Sequence, residues 1–171
     1  MKRFSLSCLL VLACVLLRAQ GDLTPTQSFT IEGAVQNPVT VDIAQLLAQP
    51  QVKLKPVQIV NHLGVQKSLL KDLRGVRLQP LLAQATLNEE NSKYWSEFYY
   101  IFEASDGYQI VFSWNELFNT AIGEQVYLIV QRDGQTLPAL DGQLAVLVPS
   151  DKITGRRYLK GLAKVKVMRA E

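Results

Sequence analysis

The sequence predicts an α+β domain, mixed and mostly β, built from short strands with a few short helices. Three observations carry that expectation. Apolar and polar residues alternate along Phe29–Val35 and again along Leu162–Met168, the pattern of half-buried strands. Three Asp-Gly pairs, Asp106-Gly107, Asp133-Gly134 and Asp141-Gly142, stand where tight hairpin turns need positive φ angles. Asp42 with Gln45 and Ser113 with Glu116 have the three-residue spacing of capping boxes, so each should open a short helix.

The first residues do not belong to that domain. Lys2 and Arg3 precede an apolar run from Phe4 to Leu17, followed by Arg18-Ala19-Gln20-Gly21. This describes a secretory signal peptide over residues 1–21, cleaved after Ala19 or Gly21. The run is shorter than the ~20 apolar residues of a spanning helix, so no membrane span is expected after cleavage. Val11-Leu12-Ala13 before Cys14 offers a lipoprotein as the alternative, but the apolar run continues past the cysteine. The expected location is periplasmic or secreted.

Removing the signal changes the chemistry that composition allows. Of 18 basic residues, Lys2, Arg3 and Arg18 lie in it, which leaves 15 against 15 acids and a net charge near zero. Nucleic-acid binding therefore has no electrostatic support. Both cysteines, Cys8 and Cys14, leave with the signal, so the mature chain has no thiolate ligand and no disulfide.

Residues 22–28 read as a flexible lead-in and residues 29–171 as a single domain. After the strand Phe29–Val35, Asn37-Pro38 turns the chain and Val39–Val41 resumes extended structure. A short helix Ile43–Ala48 follows and Pro50 closes it. Val52–Val60 reads as one strand, with Pro56 placing it at an edge or a bulge. Asn61–Gly64 is a loop, and Lys67–Leu78 is extended with a break at Gly75. Pro80 suits the first turn of a helix over Leu81–Ala85.

The polar stretch Asn88–Lys93 leads into the central unit, EFYYIFEASDGYQIVFSWNELFNT. Phe98–Phe102 and Tyr108–Phe112 form a hairpin across Ser105-Asp106-Gly107, and a helix from Trp114 to about Asn119 follows. The aromatic cluster around Tyr94, Trp95, Tyr99 and Tyr108 reads as core packing, with a pocket lining as the alternative. Strands at Gln125–Gln131, Leu144–Val148 and Leu162–Met168 complete the chain, with a charged loop over Asp151–Arg157.

Most catalytic constellations are missing. His62 is the only histidine, no Gly-x-Ser-x-Gly elbow occurs, and no glycine-rich phosphate loop is present. The Asp-Gly carboxylates are explained by turn geometry. One anomaly remains. Lys152, Arg156, Arg157, Lys160, Lys164, Lys166 and Arg169 follow one another with no acid among them. Arg156, Arg157 and Lys160, on a loop with Gly155, suit a phosphate or another anion.

At this loop the chain resembles the molybdopterin-binding domain of the sulfite oxidase family. FTIEGAVQNPVTVDIAQLL is similar to that domain's opening, LRGVRLQPLL to its Gly-Val-x-Leu-x-x-Leu-Leu segment, and EASDGYQIVFSWNEL to its Ser-Asp-Gly-Tyr hairpin. VPSDKITGRRYLKGLAKVKV matches its Val-Pro, Gly-x-Arg-x-x-Lys-x-Leu ending. The pieces run in order from Phe29 to Val167. The resemblance implies a sulfite-oxidase-like fold in which Gly155, Arg157 and Lys160, with Arg156 beside them, face the phosphate end of a pterin cofactor. It also implies a metal-holding cysteine ahead of the Gly-Val-x-Leu segment. Here that region reads VQIVNHLGVQKSLL, with His62 as the one residue that could stand in. The apolar signal core is also closer to the general route for unfolded chains than to the twin-arginine route that cofactor-loaded members use.

The expected function is therefore an exported module that binds an anionic small molecule, a pterin phosphate or a partner protein, without the molybdenum thiolate. The alternative is an active molybdopterin-dependent oxidoreductase acting on a small oxyanion or sulfoxide. No residue is assigned to catalysis.

Overall fold

The computed structural model describes residues 21–171. The signal peptide, the lipoprotein alternative and both cysteines concern residues 1–20, outside the described part, with Gly21 the exception. Among the described residues no helix is long and apolar enough to cross a membrane.

The chain is mostly strand, as the alternating patterns require. Its middle sheet contains β1 (Ser28–Gly33), β2 (Val39–Asp42), β7 (Phe98–Ala104), β8 (Gln109–Ser113) and β13 (Leu162–Arg169), in the order β2-β1-β13-β7-β8. β1 and β13 run parallel, with Ile31 opposite Val165, and the other neighbours are antiparallel. The period-two pattern survives in three dimensions. Phe98, Tyr100, Phe102 and Ala104 of β7 are buried, whereas Tyr99, Ile101 and Glu103 sit on the other, half-exposed face.

The second sheet has β12 (Leu159–Lys160), β11 (Ala145–Leu147), β9 (Tyr127–Arg132), β6 (Arg74–Arg77) and β3 (Gln51–Lys53) in that order, with β10 (Gln135–Thr136) on β9. β4 (Val57–Val60) and β5 (Gln66–Leu70) make a separate hairpin. One buried cluster draws side chains from both larger sheets, among them Phe29, Ile31, Phe102, Phe112 and Val165 from the first and Val76, Leu128 and Val146 from the second. Each such side chain contributes about 1.5–3 kcal/mol by leaving water.

Among the described residues the three α-helices are α1 (Ile43–Leu47), α2 (Gln79–Leu82) and α3 (Trp114–Phe118). Both expected capping boxes are present. Asp42 accepts from the Gln45 amide at 2.7 Å and Gln45 from the Asp42 amide at 3.0 Å. Ser113 and Glu116 repeat the exchange at 3.1 and 2.9 Å. At the central hairpin only Gly107 takes a positive φ, 83°, while Asp106 accepts from the Tyr108 amide at 2.9 Å.

Three expectations need correction. Val52–Val60 is two strands in different sheets, because Lys55-Pro56 interrupts the ladder where proline has no amide to give. Lys67–Leu78 also divides, but at Asp72, whose φ is 45°, and not at Gly75, which lies inside β6. The lead-in is tied down. Thr24 and Ser105 exchange two hydrogen bonds at 3.0 and 2.7 Å, and the Thr26 amide donates to the Gly142 carbonyl at 3.2 Å.

Candidate functional site

Of the predicted residues, Gly155 and Arg156 lie in a single 3-10 turn over Thr154–Arg156 between β11 and β12, Arg157 ends that turn, Lys160 lies in β12, and His62 lies between β4 and β5. Thr154 anchors the turn. Its hydroxyl donates to the Gln58 carbonyl at 2.7 Å and accepts from the Val60 amide at 2.9 Å, and its side chain is buried. Gly155 then passes so close to β4 that a Cβ there would meet the Val60 carbonyl oxygen at 2.7 Å. Glycine at this position is a packing requirement whatever the turn binds.

That clamp brings the turn against the β4–β5 hairpin. Asn61, His62, Tyr108, Gly155, Arg156 and Tyr158 line a cleft of about 400 Å³ between them. Asn61 shapes the hairpin end by accepting from the Leu63 and Val65 amides at 3.0 and 2.9 Å. The Tyr108 hydroxyl donates to the Arg156 carbonyl at 2.7 Å, which fixes the turn from the other side. Arg132 donates to the Tyr158 hydroxyl at 2.6 Å, and the Tyr158 proton remains free for another acceptor. Burial raises the Tyr158 phenol above its ordinary range, so it acts as a neutral donor.

The seven-cation run is not a positive field. Five of its members meet acids delivered by other parts of the chain. Arg157 donates to Asp151 at 2.8 Å and to Glu116 at 3.1 Å, with its guanidinium 4.6 Å from the Phe112 ring centre. The Asp151 hydrogen bonds hold the Arg157 guanidinium above its usual value. Lys160 stands 3.5 Å from Asp141, Lys164 3.1 Å from Glu32 and Lys166 2.7 Å from Glu103. Arg169 reaches Glu89 and Glu97 at 3.0 and 2.7 Å. Among the described residues, Lys152 and Arg156 have no carboxylate at ion-pair distance.

The structure thus gathers His62, Gly155 and Arg156 in one cleft. Arg157 and Lys160 are not in its lining, and both are turned toward acids. Sequence reasoning missed Asn61 and Tyr158, which only the approach of β4–β5 to the turn reveals. A larger cleft of about 540 Å³ is lined by Thr154 together with Lys55, Gln125, Tyr127 and Lys152. Its acid, Asp151, is already bound to Arg157.

The aromatic cluster also divides. Tyr108 belongs to the His62 cleft, Arg169 lies 5.5 Å from the Tyr94 ring centre, and Trp95 packs 5.6 Å from Trp114.

No family model matches the chain, and no curated protein matches it. Its fold, however, is similar to that of the sulfane dehydrogenase SoxCD from Paracoccus pantotrophus. The TM-score is 0.57 at 17% identity, over 86% of this chain and 40% of that one. The fold is therefore sulfite-oxidase-like, and the chain spans less than half the length of the protein it resembles.

The fit of a molybdopterin can be tested on the donors present. The described residues contain no thiolate and no group of three or more His, Cys, Asp or Glu side chains placed to hold a metal. The guanidinium expected at the phosphate end, Arg157, has its fork filled by Asp151. Arg156 fits an oxyanion or phosphate, but among the described residues the metal end of the group finds no thiolate.

Proposed function

We propose that the chain is an exported anion-binding module on a sulfite-oxidase-like fold, with its site in the cleft between the β4–β5 hairpin and the Thr154–Arg156 turn. One observation carries this reading. Among the described residues Arg156, like Lys152, has no carboxylate at ion-pair distance, and Arg156 is the one of the two that shares the cleft with His62. A planar guanidinium offers a fork of donors matched to two oxygens of a phosphate, sulfite or carboxylate. The Tyr158 hydroxyl and the side-chain amide of Asn61 add neutral donors, which orient the anion without adding charge.

Calorimetric titration of the mature protein with inorganic phosphate and with sulfite tests this. One oxyanion should bind with one-to-one stoichiometry and weaken as salt is added. Arg156→Ala should reduce its affinity roughly tenfold, as loss of a charged hydrogen-bond partner does. No saturable binding of either anion, or equal affinity in Arg156→Ala, overturns the proposal. Elemental analysis of protein from its native host addresses the oxidoreductase alternative, and near-stoichiometric molybdenum would favour it.

A further inference from the structure

A further cleft, which shares no lining residue with the basic turn, forms where Trp95, Trp114, Phe118 and Tyr100 gather beside the end of α2. Trp114 and Phe118 project from α3, and their rings stack with centres 5.7 Å apart and planes 23° apart. Trp95 comes from the 3-10 turn Ser92–Glu97 and meets Trp114 at 5.6 Å. Its indole nitrogen donates to the Glu89 carbonyl at 2.9 Å, which fixes the ring. Leu82 adds to the apolar wall, and the cleft, open to solvent on one side, has a volume of about 240 Å³. A cavity of about 150 Å³ already admits benzene, so the volume suits one or two fused rings.

Tyr100 gives this cleft a chemical preference. It lines the space and packs 5.9 Å from Phe118, and only 2% of it is exposed. Among the described residues its hydroxyl makes no hydrogen bond, and the oxygen is not sealed from solvent, so it is open to water or to a molecule in the cleft. Desolvation keeps the phenol protonated well above its ordinary range, so the group is a neutral donor and acceptor.

We infer that this cleft is a binding site for a small, uncharged aromatic molecule carrying one hydrogen-bonding group, such as a phenol. The rings supply the stacking faces and Tyr100 the single polar contact. The site is independent of the anion cleft, because they share no lining residue.

The chain has two tryptophans, Trp95 and Trp114, and both line this cleft, so tryptophan emission reports its occupancy directly. Titration of the mature protein with p-cresol should shift that emission saturably. Toluene, the same shape without the hydroxyl, should bind about fivefold more weakly, the size of a buried hydrogen bond's net contribution. Tyr100→Phe should remove the preference for p-cresol while toluene binding persists. Ala83→Phe, at an exposed lining position, should abolish both. An unsaturable response to p-cresol in the folded wild type overturns the inference. So does a p-cresol preference that survives Tyr100→Phe.

Discussion

Arg157 is held by two carboxylates and an aromatic face, and its side chain is only 19% exposed. Removing it would strand Asp151 and Glu116 without their counter-charge in a half-buried place. Arg157→Ala should therefore lower stability by about 2 kcal/mol, read as a shift of the urea midpoint at unchanged slope. Arg157→Lys should recover part of that loss only, since an ammonium cannot bond Asp151 through two parallel N–H groups. At this scale the sequence misled in an instructive way. The run from Lys152 to Arg169 has no acid within it, but Glu116, Asp141, Glu32, Glu103, Glu89 and Glu97 arrive from helical, strand and loop segments earlier in the chain. A charge pattern in one dimension says little about the field when the sheet order sets the neighbours.

α3 shows how one short element links the core to the turn. Glu116 caps Ser113 with one carboxylate oxygen and receives Arg157 on the other. The two roles can be separated. Ser113→Ala should cost about 1 kcal/mol through the lost cap. Glu116→Gln keeps a residue that completes a capping box, so it should cost less and should reduce the additional effect of Arg157→Ala. A double-mutant cycle measures that coupling. Both capping boxes were legible because every atom involved lies within four residues. The strand limits at Lys55-Pro56 and Asp72 were not, because the hydrophobic pattern runs on while the chain changes sheets. β12 is two residues long and exists only through its pairing with β11, so no local signal announces it. The candidate site was legible in part. His62, Gly155 and Arg156 follow from the motif, but their meeting depends on the Thr154 clamp, whose partners lie some ninety residues away.

The alkaline limit of the whole molecule follows from its buried phenols. Burial raises both Tyr100 and Tyr158, so the folded state holds these protons more tightly than the unfolded chain. Their contribution is complete below the ordinary phenol value of about 10 and is lost as pH rises through the folded values. Stability should therefore fall above about pH 10, and Tyr158→Phe should make the decline shallower in a series of denaturant titrations. The tyrosine absorbance change should follow unfolding for these two rings.

The place of β13 governs the order of events during synthesis. This last strand lies between β1, the first, and β7, so the middle sheet has no centre until residues 162–169 have been made. While the ribosome is still at work, β1–β2 and β7–β8 are two hairpins with open edges and no shared ladder. Completion of the sheet must therefore wait for the last strand to be synthesised. A fragment ending at Gly161 should accordingly lack the cooperative unfolding transition of the full chain, and a peptide of residues 162–171 added in trans should restore it.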